Sequence, residues 1–408
     1  MTAAVADKGH ARAGITAAIM MVFSGLAAIS GGLPLPPFVA LGGIIAFPFA
    51  AVFDLRKDPP WEALLGTLFV AWAALSWTWS PYDRPDQAIK LIAGVPLYAA
   101  FAFAIAKLEG RWKARVEAAF FFMAFFAALY LFAEFVNGGD VTTSYKADVA
   151  NVDISDPAVQ FEVARSLGHG VLLIVLFTGP AAALAWREGG PLIGLLLLAI
   201  TGMATLGFDM AINFIAFLAG MGGAVLAYYW PRGALSAIFG MIAGSFVVTP
   251  LILPPVAANL PERIVAMLPL SWEARLSIWE FAGTLLSERP WLGRGLDASR
   301  VIDDVEVMRG LEHQLLPLHP HNAPIQVWLE TGAFGSILLA FTLVMLGGRI
   351  AGARYLSRLQ AAAIAWVAVS YFCFIFFSYG VWQEWHIAGL AVAMAGASFL
   401  SARPRPHR

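Results

Sequence analysis

Titratable side chains cluster in one short segment of an otherwise apolar chain, from His319 to Ser336. A histidine with a pKa near 6.5 can accept a proton at neutral pH, which suits His321 to the role of general base. Asn322 is a good N-cap, and the helix that it opens would attract an anion such as a phosphate. This pattern predicts a proton-transfer site at the mouth of a helix. His319 is a supporting candidate, and a capped helix with its histidines in solvent is the open alternative.

Three further residues of the same helix have types that matter in a membrane. Gly332 and Gly335 lie three positions apart, which allows close contact with another helix. Glu330 lies about two turns into the helix, and an ionisable residue in such a place is a functional candidate by default. We expect Glu330 to orient this helix or an arginine.

Arginines precede the histidines, in the stretch Ser271 to Trp279 and in the turn Gly293-Arg294-Gly295. The guanidinium fork pairs with phosphate oxygens in a bidentate way and stays charged. Apolar residues at helical spacing around Arg275 predict an amphipathic helix on the membrane surface. Arg275 there could hold a lipid diphosphate, and an ordinary interfacial arginine that pairs with lipid headgroups is the open alternative.

The composition of the whole chain determines what must position these residues. The chain has 408 residues, of which 60% are hydrophobic and only 13% charged, with a mean hydropathy of +0.73. Such a chain is an integral membrane protein. Its net charge of -1 leaves no basic surface for nucleic acid. The single cysteine, Cys373, excludes an intrachain disulfide and a thiolate zinc site.

A helix needs about 20 apolar residues to cross a bilayer. This length criterion predicts an all-α protein with about 12 transmembrane helices. We treat residues 1–408 as one polytopic membrane domain, with spans one to nine in 1–254, a large outer catalytic loop in 255–320 that carries amphipathic helices, and spans ten to twelve in 321–408. A smaller outer loop, 137–167, is polar and is either a lid or a solvated connection. The predicted spans are 14–31, 36–53, 61–79, 88–106, 114–136, 168–186, 190–207, 210–230, 234–254, 322–346, 359–379 and 385–402.

The basic residues predict the orientation, because segments rich in lysine and arginine stay in the cytoplasm. With the N-terminus inside, 16 of the 26 basic residues fall on inner segments. Both termini are therefore expected in the cytoplasm, and the large loop on the outer side. A cleaved signal peptide is an alternative interpretation of the first apolar run, which we interpret as a span because it is long enough to cross the bilayer.

These motifs together resemble the O-antigen ligase and O-antigen polymerase superfamily. His321-Asn322, nine residues, Gly332, two residues and Gly335 look like the ligase signature of this family. The Arg275 segment and the Gly293-Arg294-Gly295 turn are similar to the loop elements that precede it. The resemblance in order and spacing covers roughly residues 200 to 340.

The resemblance implies a GT-C-like glycosyltransferase of the bacterial inner membrane with its active site in the periplasm. It would use no cofactor, nucleotide sugar or essential metal, and would move a glycan from undecaprenyl diphosphate with inversion at the anomeric carbon. His321 would deprotonate the acceptor hydroxyl and Arg275 would bind the donor diphosphate. Lipid A core would be the acceptor, and membrane lipids surround the protein.

One departure from the family concerns a second arginine, which members usually carry at a position corresponding to 205–210. This chain has Asp209 there, whose carboxylate would repel a phosphate. Arg165 is our first choice as the substitute because it lies at the entrance of the bundle, followed by Arg294 and Arg300.

The spacing of the His-Asn signature favours an O-antigen ligase. An O-antigen polymerase and a protein O-oligosaccharyltransferase differ from a ligase only in the acceptor. A transporter or flippase would also have about 12 spans but predicts more charges inside them than this chain has.

Overall fold

The computed structural model describes residues 3–48, 60–208 and 210–402, and the protein is mostly helical (77%). Asp209 and residues 49–53 of the second predicted span lie outside these described residues. The described α-helices are α1 (Ala3–Ile29), α2 (Leu35–Ala46), α3 (Trp61–Ser76), α4 (Asp86–Ala106), α5 (Gly110–Val136), α6 (Asp140–Ala150), α7 (Pro157–Glu188), α8 (Pro191–Ala204), α9 (Ala211–Tyr229), α10 (Pro231–Ala258), α11 (Glu262–Val265), α12 (Leu270–Glu288), α13 (Ala323–Ala351), α14 (Arg358–Phe377) and α15 (Glu384–Ser398).

Eight of the described helices are long and apolar enough to cross a membrane: α1 from His10 onward, α4, α5, α7, α9, α10, α13 and α14. The helices α2, α3, α8 and α15 overlap the other four predicted spans but are 12, 16, 14 and 15 residues long. The structure thus supports a multi-pass helical membrane protein, and the total of 12 spans stays a prediction.

Helix α7 is the centre of the bundle, with 89% of its apolar window buried. The hydrophobic effect does not drive helices together within lipid, so helices in membranes associate through close packing. Small residues of α7 allow its neighbours to come this close. A Cβ on Gly179 would lie 2.2 Å from Trp366 of α14, and one on Gly170 would lie 2.5 Å from the carbonyl oxygen of Ala28. The Trp366 indole then donates to the carbonyl oxygen of Val175 at 2.7 Å.

The predicted large loop between α10 and α13 contains the amphipathic helix α12. Its apolar face, with Ile278, Trp279 and Ala282, is buried against α10 and α13. A Cβ on Gly283 would lie 2.5 Å from Pro254 of α10, so this glycine allows the two helices to touch.

The large loop also contains one small element that the sequence did not predict. Strands β1 (Val305–Met308) and β2 (Leu311–Gln314) form an antiparallel hairpin, in which Val305 pairs with Gln314 and Met308 with Leu311. The two turn residues, Arg309 and Gly310, have φ of 49° and 82°. Positive φ at both central residues is what a two-residue hairpin turn needs, and the Arg-Gly pair provides it.

Candidate active site

The His-Asn corner forms where the large loop enters α13. Asn322 caps this helix, because its Oδ1 accepts the N–H of Ile325 at 3.0 Å and its Nδ2 donates to the carbonyl oxygen of Phe376 at 3.1 Å. The residue before it, His321, has a left-handed backbone with φ of 52°. Such a conformation is uncommon for a residue with a side chain, and the surroundings must hold it in place.

The geometry of His321 defines its tautomer. Its Nδ1 lies 2.7 Å from the carbonyl oxygen of Ser378, and since a carbonyl only accepts, Nδ1 carries the proton. The other nitrogen, Nε2, therefore has the free lone pair that a base needs. Burial lowers the pKa of His321 from its ordinary value of 6.5, the Ser378 carbonyl raises it and the charge of Arg275 lowers it. The neutral, base-competent form thus dominates at pH 7.

His319 contacts both the ring and the backbone of His321. It is 8% exposed, its ring lies 4.4 Å from that of His321 between centroids, and its Nδ1 accepts the backbone N–H of His321 at 3.2 Å. Burial lowers the pKa of His319 well below 6.5, and the charges of His321, Arg300 and His386 act in the same direction. His319 is therefore neutral, and its Nδ1 can accept the bond that stabilises the left-handed His321.

A cavity of about 890 Å³ brings residues from distant parts of the chain together. Four of the predicted site residues line it, namely His319, His321, Arg275 and Arg165. Its walls also include apolar side chains such as Ile212 and Ile215 of α9, next to polar ones. The cavity combines a base, two guanidinium groups and an apolar surface, which are the features that a lipid-linked anion requires.

Arg275 lies on α12 next to the His-Asn corner. Its Nη1 donates to the carbonyl oxygen of Ser271 at 2.8 Å, and its guanidinium lies 5.4 Å from the ring of Trp272. The buried Nε has no hydrogen-bond partner within the described part of the chain. Burial lowers the pKa of Arg275 from its ordinary value, although a guanidinium remains charged at any physiological pH. Arg275 thus has donor capacity left for an anion.

Arg165 lies in the first turns of α7, across the cavity from α12. It forms an ion pair with Glu162 at 2.7 Å, and about half of each side chain is exposed. Lys146 of α6 lines the same wall. An exposed pair of this kind is weak, so Arg165 can exchange Glu162 for a ligand at little cost.

The two other candidate arginines do not line the cavity. Arg294 pairs with Glu288, and its backbone N–H donates to the carbonyl oxygen of Leu329 at 2.8 Å. Arg300 pairs with Asp297 at 3.1 Å. Both arginines are held by carboxylates of the large loop, which leaves Arg165 as the substitute that the geometry favours.

Glu330 is fully buried and joins the loop to α13. Its carboxylate accepts the backbone N–H of Asp297 at 2.8 Å, the Ser299 hydroxyl at 2.8 Å and the Trp382 indole at 2.6 Å. These donors come from segments far apart in the sequence. Glu330 therefore fixes their arrangement around the first turns of α13.

The two glycines of the signature serve different contacts. Gly332 breaks α13 with φ of 71° and ψ of 179°, and a Cβ there would lie 2.0 Å from the carbonyl oxygen of Trp291. The backbone of the Gly293 to Gly295 turn enters this gap, where the N–H of Gly295 donates to the carbonyl oxygen of Glu330 at 2.9 Å. Gly335 faces another helix as expected, since a Cβ there would lie 3.1 Å from Trp72 of α3.

Several cavity residues did not appear among the predicted site residues. Lys146, Glu162 and His169 come from the stretch that contains the smaller outer loop and the start of α7, and Glu384 starts α15. The polar character of 137–167 was the signal for them, but it fitted a solvated connection equally well. Among the residues that the structure describes, no group of three or more His, Cys, Asp or Glu side chains could hold a metal ion.

Fold and site together define a multi-pass helical membrane protein with a buried histidine and arginines around one cavity. A sequence profile described as "O-Antigen ligase" matches residues 192–340, which include Arg275, His321 and Gly335. These findings confirm the resemblance to the O-antigen ligase superfamily that the signature predicted.

Curated relatives of the chain have polysaccharide ligase names. A protein of Rickettsia conorii named "Putative polysaccharide ligase" is 28% identical over 339 residues, which cover 79% of this chain and 75% of the relative. Proteins with the same name from Rickettsia prowazekii and Rickettsia typhi are 29% and 32% identical over 54% and 44% of this chain. These two matches span about half of each relative, at 55% and 45%. No solved structure matches the chain significantly.

Proposed function

We propose that this protein is an inverting, metal-independent glycosyltransferase that moves an O-antigen glycan from undecaprenyl diphosphate to a hydroxyl of lipid A core. The observation that carries the proposal is that one cavity contains His321, Arg275 and Arg165, which are far apart in the sequence. The O-antigen ligase profile and the polysaccharide ligase name of the relatives support this reaction class. Both termini would lie in the cytoplasm and the cavity would open to the periplasm.

The base step begins at Nε2 of His321. Nε2 accepts the proton of the acceptor hydroxyl while the oxygen attacks the anomeric carbon of the donor glycan. The Ser378 carbonyl holds the opposite nitrogen, at 2.7 Å, so the imidazolium that forms keeps its orientation. General base catalysis of this kind contributes typically about 10² to 10⁴ in rate.

The departing group is the lipid diphosphate. As the new bond to the acceptor oxygen forms, the bond between the anomeric carbon and the phosphate oxygen breaks, and its electron pair leaves with the diphosphate. Attack from the opposite side inverts the anomeric carbon. Arg275 and Arg165 would neutralise the charge that builds up on the diphosphate, and such electrostatic help is worth most in a cavity shielded from water.

The apolar part of the cavity would accommodate the first isoprene units of the carrier. Ile212 and Ile215 of α9 and Trp272 of α12 lie on this side. Ile215 is 45% exposed on a helix long enough to span the membrane, so its surroundings would be lipid. A carrier could therefore keep its chain in the bilayer while its diphosphate meets Arg275.

The test is a gel assay of the purified protein with undecaprenyl diphosphate glycan, with and without lipid A core, in EDTA. We expect transfer to lipid A core by the wild type and none by His321→Ala. His313→Ala is the matched control, since His313 belongs to the same loop but does not line the cavity.

Each other outcome assigns a different function. Growth of the carrier-linked glycan without lipid A core would make the protein a polymerase, and transfer to an added protein would make it an O-oligosaccharyltransferase. Loss of transfer in EDTA that added metal restores would refute metal independence. Movement of the carrier across a vesicle membrane, unaffected by His321→Ala, would identify a flippase.

A further inference from the structure

We infer that Glu330 is a positioning residue for the reaction, because it aligns the two chain segments that hold the ring of His321. This inference rests on the proposed function, in which His321 is the base. Glu330 lies two turns inside α13 and does not line the cavity, so it cannot touch a substrate there. Its influence must pass through the residues that it binds.

Four donors surround the Glu330 carboxylate. Oε2 accepts the backbone N–H of Asp297 at 2.8 Å and the indole N–H of Trp382 at 2.6 Å. Oε1 accepts the Ser299 hydroxyl at 2.8 Å and the amide of Gln326 at 3.2 Å. A carboxylate is the one side chain that can accept at both positions, so the site is built for an acceptor with two oxygens.

The Gln326 amide connects Glu330 to the chain segment that contacts His321. Its Nε2 donates to Glu330, which turns its Oε1 towards the backbone N–H of Val381 at 2.9 Å. Glu330 thereby decides which way the Gln326 amide faces. The reverse orientation would place an NH₂ group against the N–H of Val381, and two donors would then oppose each other.

The segment that Gln326 and Glu330 hold is the one that orients the base. Val381 and Trp382 belong to the short connection between α14 and α15, which begins with Ser378. The Ser378 carbonyl accepts Nδ1–H of His321 at 2.7 Å. Gln326 itself lies in the first turn after the His-Asn corner. Both sides of the His321 to Ser378 bond are therefore tied to the same carboxylate.

The decisive variant is Glu330→Gln, which preserves size. Its NH₂ group would face a donor at either position, and of the four donors only the Ser299 hydroxyl can become an acceptor without giving up another hydrogen bond. The Gln326 amide would then turn over or lose its bond, and the Val381 contact would be lost with it. We expect kcat to fall by about 100-fold, since a displacement of about 1 Å far from the chemistry costs this much, with KM nearly unchanged.

A second variant, Trp382→Phe, removes one donor and keeps an aromatic ring at the site. We expect a smaller loss of kcat in the same direction. The matched control is Glu117→Gln, the same chemical change at a carboxylate that is 12% exposed and accepts from Arg187 at 2.8 Å. Glu117 lies in the first part of α5, and no residue of that helix lines the cavity, so its change should spare kcat.

A second measurement reports on His321 without requiring turnover. Diethyl pyrocarbonate modifies neutral imidazoles, and peptide mass spectrometry gives the rate at His321 alone. We expect faster modification of His321 in Glu330→Gln and in Trp382→Phe, because the ring is held less firmly, and an unchanged rate in Glu117→Gln.

The inference is overturned if Glu330→Gln keeps the wild-type kcat, or if kcat falls only in proportion to lost folded protein in both glutamine variants. An unchanged modification rate at His321 in a folded Glu330→Gln protein would also refute it. If the wild type transfers no glycan at all, the proposed function fails instead. The modification rates then still decide whether Glu330 positions His321.

Discussion

The two walls of the cavity are held in place very differently. The catalytic wall consists of α12, the His-Asn corner and the connection after α14. Behind it, Glu330 accepts four hydrogen bonds and so connects three parts of the chain: Asp297 with Ser299, Gln326 of α13, and Trp382. The opposite wall, which we call the α6 wall, consists of α6 and the first turns of α7. A buried carboxylate at the end of α5, Glu134, holds α6 to its neighbour: one oxygen accepts from Tyr130 and Thr142, while Oε2 has no partner in the described part of the chain.

The difference extends to the surface of the α6 wall. Val141, Tyr145 and Val149 of α6 lie one turn apart and are 49%, 64% and 65% exposed. The arginine of this wall, Arg165, is likewise half-exposed, whereas Arg275 is packed beside Trp272. A base must be held within a fraction of an ångström, while a wall that receives a large glycan can adapt to it. We therefore propose that the proton transfer occurs at the catalytic wall, and that the α6 wall adapts to the substrate.

The largest expected difference between the walls concerns their histidines. His321→Ala should lower the rate by about 10² to 10⁴, because the general base is lost. His169→Gln on the other side should cost less than about 10-fold, since His169 packs on Trp385 at 4.6 Å and on Tyr379 at 5.4 Å between ring centroids and is not the proposed base. Initial rates of glycan transfer measure both. Equal losses would contradict the division between the walls.

The next effect concerns the break in α13 that shapes the catalytic wall. Gly332→Ala should destabilise the protein by at least about 2 kcal/mol, because a left-handed backbone costs about 1–2 kcal/mol and the new Cβ meets the Trp291 carbonyl. Gly222→Ala in α9 is the control, since a Cβ there meets nothing within 4 Å. Thermal unfolding in detergent measures both. A Gly332→Ala protein as stable as the control would show that the break in α13 is not needed.

The sequence predicted the catalytic wall better than the α6 wall, and the reason is physical. The His-Asn corner depends on local rules, since Asn322 caps the helix that follows it and the type of residue reveals this role. The break at Gly332 depends on a loop 40 residues earlier whose backbone enters the helix. A pair of glycines three apart does not distinguish such a loop from a neighbouring helix, and we expected a helix at both.

Residues of the α6 wall lacked a comparable signal. Lys146 and Glu162 are ordinary charged residues in a polar stretch, and only the fold shows that they face Arg275 across a cavity. Arg165 was predicted as a site residue from its position at the start of a span. The sequence already ranks Arg165 before Arg294 and Arg300. The structure adds the carboxylate partners of the other two, Glu288 and Asp297, which cannot be paired from sequence.

A smaller effect should separate the two arginines. Arg275→Lys should reduce kcat/KM by about 10- to 100-fold, because lysine cannot reproduce the planar fork or the contact with Trp272. Arg165→Lys should cost only about 3-fold, since a half-exposed ammonium can still reach a flexible ligand. Arg263→Lys, at an exposed position of the same loop as Arg275, is the control. If the order of the first two were reversed, Arg165 would be the main diphosphate ligand.

The smallest effect is a pH dependence that reports how firmly the catalytic wall encloses its base. A histidine with the ordinary pKa of 6.5 would be about half protonated at pH 6.5 and would lose about half of its activity there. Burial lowers the pKa of His321, and among the groups around it Arg275 acts in the same direction, whereas the Ser378 carbonyl opposes it. Protonation disables the base, so kcat/KM should fall as the pH is lowered, but more than half of the activity at high pH should remain at pH 6.5. In Arg275→Gln the residual activity should begin to fall at a higher pH, because the positive charge that disfavours imidazolium is gone. If the wild-type activity already fell by half above pH 6.5, His321 would be solvated or paired with an anion, and the catalytic wall would not enclose it as the structure shows.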